Sequence, residues 1–196
     1  MAGSDWRATL PTLTSRSVSL REPIAQDVGA LVDLLSITDA SRFGLDYPVT
    51  ELAVHELIER AQRDRAAGTA FTYVVLVNSG RTVAGVMQVR QLDPVFEAGE
   101  WEATLAPSAR GTGAFLEAAR LVGSFAFGVI GVHRLEVRVL LQNGRANSAL
   151  RKLGAVQEGI LRRSARRGGE YVDQVLWSIL KEDWTEHWVS TEPRVH

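Results

Sequence analysis

The sequence contains no cysteine. Disulfides, a thiol nucleophile and thiolate metal sites are therefore excluded, and the composition is the one expected in a reducing cytoplasm. The four histidines, His55, His133, His187 and His196, lack ligand-like spacing, so no metal is expected. A dominant charge is lacking too: 22 Lys and Arg stand against 23 Asp and Glu, a net charge of −1. That balance argues against a general nucleic-acid or membrane-surface binder. No apolar run is long enough to span a bilayer. The amino terminus has no basic segment followed by an apolar core, so no signal peptide is expected.

What remains is an ordinary globular balance: 45% hydrophobic residues in 196, enough for a sizeable core. With no internal repeat and no low-complexity linker, a single domain over 1–196 is expected, with a loose arm at 1–14 and a tail at 185–196. Trp6 and Leu10 are the residues able to dock the arm, and Trp184 and Trp188 either cover the core or line a partner surface.

The hydrophobic periodicity predicts the elements. Val18 and Leu20 alternate with polar neighbours as a strand that Pro23 ends. Asp27 to Leu35 reads as a short helix, with Val28, Leu31, Val32 and Leu35 on one face. A loop follows from Ser36 to Val49. Thr50 is placed to cap a second helix with the stripe Val54, Leu57, Ile58 and Ala61. Phe71 to Val77 and Val83 to Val89 form a hairpin about Asn78–Arg81. Glu100 to Leu105 is a fourth strand. A helix runs from Ala114 to Phe127 and ends near Gly128. Leu135 to Leu141 is a strand, and Arg145 to Leu153 is a helix closed by Gly154. Val156 to Leu161 and Tyr171 to Leu180 are two more strands, joined through Gly168-Gly169. The expected class is α+β, a mixed sheet in the order β-α-α-β-β-β-α-β-α-β-β.

Arg110-Gly111-Thr112-Gly113 is the most informative stretch. It sits between the strand ending at Leu105 and the helix opening at Ala114. Glycines let the backbone approach a ligand, and the first amides of a helix lack internal acceptors, which favours an anion there.

From about Val18 to Trp184 the chain resembles the GNAT superfamily of acyl-CoA-dependent N-acyltransferases, and within it the group that includes ribosomal-protein N-terminal acetyltransferases. Four pieces carry the resemblance, in order: Arg110 to Ala114 with Glu117-Ala118; Asn143 to Ala155; Glu158 to Arg162; and Asp173 with Trp177 to Trp184. The resemblance implies a GNAT-like fold. It implies acetyl-CoA as co-substrate, lying in an opening between the strand 100–105 and the strand 135–141. Leu105 is the implied backbone partner of the pantetheine arm. The implied pyrophosphate site is the amides of Arg110, Gly111, Thr112, Gly113 and Ala114. Asn143 is an implied pantetheine contact, or a plain helix cap. Arg145 and Lys152 are candidates for the adenosine end, or solvated helix charges. Three residues depart from the family pattern: Phe115 replaces a smaller residue, and Ala146 and Leu150 stand where relatives carry a hydroxyl.

N-acyl transfer needs a neutral amine. An α-amine of pKa about 7.7–8.0 is roughly a tenth or more neutral at pH 7, whereas a lysine amine near 10.4 is far less available. A weak base therefore suffices for an N-terminal acceptor. Glu100 and Glu102 share one strand face. They are either candidate bases or a solvated face, and Glu102 is preferred because it lies nearer the implied thioester. Ser148 is a candidate proton donor. Arg162, Arg163, Arg166 and Arg167 form a basic cluster, either an exposed hairpin tip or a site for an acidic or phosphorylated partner. The implied function is acetyl transfer to a primary amine, either a peptide or protein N-terminus or a small amine, by a monomer or homodimer in the cytoplasm. No nucleic-acid or membrane partner is expected. The alternative is an acyl-CoA-binding or regulatory domain that is catalytically weak or inactive.

Overall fold

Alternating apolar and polar residues become strands of one eight-stranded sheet, and apolar stripes become four helices among the described residues. The computed structural model describes residues 5–38, 43, 45, 48–77 and 81–184. Half of the expected 36–49 loop, residues 78–80 of the expected turn and the tail with Trp188 lie outside them. In chain order the elements are β1 (Leu13–Thr14), β2 (Ser19–Arg21), α1 (Val28–Ser36), α2 (Glu51–Ala67), β3 (Ala70–Val77), β4 (Thr82–Gln91), β5 (Ala98–Leu105), α3 (Ala114–Phe125), β6 (Arg134–Leu140), α4 (Gly144–Lys152), β7 (Val156–Arg167) and β8 (Glu170–Leu180). The strands lie in the order β1-β2-β3-β4-β5-β6-β8-β7. All neighbours are antiparallel except β5 and β6.

Helices cover both faces. On one, Leu31 and Leu35 of α1 with Val54, Leu57 and Ile58 of α2 bury Val74, Leu76 and Val86. On the other, Ala118, Ala119, Val122 and Phe125 of α3 with Leu150 of α4 close over Phe71, Tyr73, Met87, Leu135 and Trp177. Each fully buried large side chain contributes about 1.5–3 kcal/mol. Phe125 stands edge-on to Phe71 at 5.2 Å and to Tyr73 at 5.9 Å, which locks α3 to the sheet. Local chemistry sets the helix ends. The Thr50 hydroxyl accepts from the Ala53 amide at 3.2 Å, and Gly154 takes φ 84° just past α4.

The structure departs from the sequence expectation in three places. Residues 5–14 of the arm are docked through Trp6 and Leu10, the two residues able to dock it. The Tyr73 hydroxyl donates to the Pro11 carbonyl at 3.0 Å, and Leu13–Thr14 adds an unexpected strand, β1, beside β2. The third helix leaves α geometry at Phe125, where a π turn, Ala126–Ile130, ends at Gly131 rather than Gly128. There the Gly131 amide bonds the Ala126 carbonyl five residues back, at 3.0 Å. Finally, β7 runs on through Arg167, so the arginine cluster is part of a strand.

Trp184 covers the core against Phe127, with centroids 5.6 Å apart. A Cβ on Gly123 would stand 2.6 Å from two of its ring atoms. Gly123→Val should therefore overpack α3 against a rigid indole and lower stability by about 1–3 kcal/mol, read by urea denaturation. An unchanged midpoint would show that Trp184 is not seated there.

Candidate active site: a forked sheet and a glycine cradle

β5 and β6 pair at only three positions, Ala98↔Arg134, Gly99↔Leu135 and Glu100↔Glu136. Beyond these, β5 stays with β4 as far as Leu105↔Gly85, and β6 stays with β8 as far as Leu140↔Gln174. The sheet therefore opens as a fork, whose inner edges are residues 101–105 and 137–140. Because β5 and β6 are parallel, both prongs end at the same side of the molecule.

A row of charges holds the crotch of the fork. Both carboxylate oxygens of buried Glu100 are taken, one by Arg90 of β4 and the other by Arg138 of β6. Glu136 joins Arg138 at 3.4 Å and Arg134 at 3.0 Å. Arg134 grips both oxygens of Glu158 at 2.7 and 2.6 Å, and the Ser178 hydroxyl donates to Glu158 at 2.7 Å. Glu100 thus sits in an ion-pair row that crosses five strands. Glu102, half-buried, lies two residues further into the fork on the same face and opposite Gln88.

At the open end, β5 passes through a 3₁₀ turn, Pro107–Ala109, into the glycine loop. Gly111 and Gly113 take φ 81° and 89°, values that strain any other residue. A Cβ on either would meet nothing within 4 Å, so the loop faces open space. The Arg110 amide is bonded to the Pro107 carbonyl at 3.2 Å, and the Ala114 amide points to the Thr112 hydroxyl at 3.3 Å. The amides of Gly111, Thr112, Gly113, Phe115 and Leu116 have no acceptor among the described residues. This run of amides overlaps the expected stretch Arg110 to Ala114 at Gly111, Thr112 and Gly113 and continues into the first turn of α3, an arrangement suited to an anion without a metal. No group of three or more metal-ligating residues exists among the described residues. The Arg110 side chain folds back, with Nε 3.2 Å from the Leu105 carbonyl. Phe115 packs against the core instead of crowding the loop.

The other prong ends at Asn143, whose side chain accepts from the Ala146 amide at 3.2 Å and caps α4. Arg145 stands exposed in the first turn of α4. Lys152 lies in the last turn, about 10 Å away along the axis, so the two do not converge. Ser148 is exposed, Ala146 is half-buried and Leu150 is in the core. One organising residue was missed in the sequence. Buried Asn147 donates from Nδ2 to the carbonyls of Asn143 at 2.9 Å and Leu140 at 3.2 Å, and its Oδ1 accepts from Trp177 Nε1 at 2.8 Å. It ties the end of β6 to α4 and β8. The signal was an asparagine on the stripe that Leu150 continues.

Arg134 first, and then Ser178, holds the Glu158 carboxyl down from 4.5 to about 2. A depressed carboxyl stabilises the fold above its ordinary value and loses that contribution as pH falls through about 2. The stability difference between the parent and Glu158→Gln should therefore be constant above about pH 5 and shrink on acidification from there. A difference that does not change with pH, measured by urea unfolding, would contradict the pairing.

The comparisons with known proteins match this geometry. The family description "Acetyltransferase (GNAT) domain" covers residues 17–156. The uncharacterized N-acetyltransferase p20 of Bacillus licheniformis is 22% identical over 176 residues, which is 89% of this chain and 99% of that protein. Mycobacterium smegmatis RimJ in complex with CoA-disulfide superposes with a TM-score of 0.77 at 18% identity, over 95% of each chain. The ribosomal-protein-S5-alanine acetyltransferase of Vibrio fischeri gives 0.77 at 17% identity, over 89% of this chain and 98% of that one. The two structures, at such low identity, establish the fold alone. With the forked sheet, the glycine loop and the family match together, the chain belongs to the GNAT acetyltransferase family.

Proposed function

We propose that this chain transfers the acetyl group of acetyl-CoA to a primary amine, with the N-terminal amine of a peptide or protein as acceptor. One observation carries the reading: the free edge of β5 leads directly into a cradle of unbonded amides at the open end of the fork. In this reading the amides of Gly111, Thr112, Gly113, Phe115 and Leu116 hold the pyrophosphate, and the backbone at Leu105 aligns the pantetheine arm. Arg110 Nε then shares or yields the Leu105 carbonyl. Acetyl-CoA supplies an activated thioester carbonyl.

Glu102 is the proposed acceptor of the amine proton, directly or through water. Glu100 is assigned a different part. With each oxygen paired to an arginine and the side chain buried, it fixes the width of the fork and is held away from the role of base. Much of the acceleration then comes from holding amine and thioester together in a fixed orientation. An α-amine needs little help from a base at neutral pH. The second reading, a catalytically weak acyl-CoA-binding domain, is favoured by Ala146 and Leu150, which leave the inner side of α4 without a hydroxyl.

Acetylation of an N-terminal peptide by the parent, Glu102→Gln and Gly113→Asp separates these readings. Glu102→Gln should lower turnover by about 10²-fold or more at pH 7, keep acetyl-CoA affinity and recover partly as pH rises. Gly113→Asp, with a carboxylate at the cradle and a strained φ, should lose acetyl-CoA binding. Acetyl-CoA binding without turnover in the parent would establish the second reading, and unaltered binding by Gly113→Asp would remove the cradle assignment.

A further inference from the structure

The β7–β8 hairpin outruns the sheet that supports it. β8 last pairs with β6 at Leu140↔Gln174, and the Leu141 amide still donates to the Asp173 carbonyl at 3.0 Å. Beyond Asp173 the two hairpin strands continue alone to the turn at Gly168 and Gly169, both at positive φ. Three residues of β8 extend past this point, about 10 Å at roughly 3.3 Å per residue. The hairpin therefore overhangs the side of the molecule toward which the parallel prongs of the fork open.

The overhang is basic. Arg162, Arg163, Arg166 and Arg167 are all exposed. The Arg163 guanidinium lies 5.7 Å from the centroid of the exposed Tyr171 ring. Arg162, Arg166 and Arg167 have no carboxylate partner among the described residues. Only Glu170 and Asp173 oppose them within the overhang, and an Asp173 oxygen is used by the Arg163 amide at 2.7 Å. In a chain of net charge −1 this is a local excess of positive charge at one tip. Protection of an edge strand does not require it. The register shift between Leu161 and Ala165, and φ 50° at Arg163, already spoil β7 as a template for further strands.

We propose that the acceptor is a peptide or protein whose N-terminal amine is followed by acidic residues, and that Arg162, Arg166 and Arg167 hold that acidic stretch. The proposal rests on the reading of the fork as an N-terminal acetyl-transfer site. Glu102 is level with Leu176 of β8, since Glu100, Glu136 and Ser178 form one row and Glu102 is two residues on. From Leu176 to the Arg167↔Glu170 pair is six residues of strand. An extended acceptor with its amine at Glu102 therefore comes level with Arg162 after about three residues and with Arg166 and Arg167 after about five and six. Arginine also suits the job: its planar fork binds carboxylates bidentately and is always charged. A polyamine has the wrong sign for this tip. A nucleic acid would want a broader basic surface than one hairpin.

The test uses the full chain with acetyl-CoA and three peptides that share their first three residues. They carry Glu, Gln or Lys at positions five to eight. The acidic peptide should show kcat/KM about tenfold above the Gln peptide at low salt, as three exposed ion pairs together allow, and the advantage should fade with added salt. Arg162→Gln/Arg166→Gln/Arg167→Gln should raise KM for the acidic peptide about tenfold and leave KM for the Gln peptide unchanged. Arg166→Lys should keep most of the preference. Anisotropy of a labelled, N-terminally blocked acidic peptide reads the same contact without turnover: the parent should bind it and the triple variant should not. If no peptide is acetylated, the transfer reading fails, and the anisotropy still decides the hairpin. Equal kcat/KM for acidic and neutral peptides, or blocked-peptide binding that the triple variant retains, overturns the proposal. So does single-stranded RNA binding more tightly than the acidic peptide and lost in the triple variant.

Discussion

Two arginines closing on one buried carboxylate govern the geometry of the fork. Glu100 is almost entirely removed from water, and an ionised carboxylate in that position is tolerated only when its lone pairs are satisfied by charge. Arg90 and Arg138 satisfy them, and because they come from β4 and β6 they fasten three strands at one level. Just past that level β5 and β6 stop pairing. The opening is therefore the seam between two half-sheets that are each complete on their outer side, β5 against β4 and β6 against β8.

The two prongs then deliver different chemistry to the same end. β5 runs into a glycine loop in which the amides of Gly111, Thr112 and Gly113 have no acceptor among the described residues, while β6 runs into an asparagine-capped helix steadied by Asn147 and Trp177. Neither device needs a metal or a charged side chain to favour an anion, since a helix N-terminus already does so. This suits a chain with no cysteine and near-neutral charge. The charges that do exist on this face of the sheet are spent mostly on one another along the row from Arg90 to Glu158. The hairpin arginines are outside that row.

The sequence was legible wherever periodicity or a special residue forced an outcome. Thr50, Gly113 and Gly154 mark helix boundaries because cap chemistry admits few residue types. The alternation in Leu135–Leu141 could only be a strand. The glycine loop and the order of elements from β2 onward were readable on that basis, while the family rested on resemblance of four motifs to known ones. What stayed hidden depended on partners distant in sequence. Glu100 on an alternating strand looks the same whether it faces water or two arginines, and Arg134, Glu136 and Arg138 look like a solvated face for the same reason. The run Arg162–Arg167 has no apolar alternation, so nothing local announces that β7 continues through it. Docking of the arm depends on Trp6 meeting Phe71 and Phe96, which are far away in the chain. The contacts of Asn147 required knowing that Trp177 would arrive beside α4.

Amide hydrogen exchange with and without acetyl-CoA tests the central claim most directly, because it reads the backbone groups on which that claim rests. The account predicts slowed exchange at Gly111 to Leu116 and along residues 102–105 when acetyl-CoA is bound, with α2 unchanged. Protection confined to other elements, or none at saturating acetyl-CoA, would contradict it.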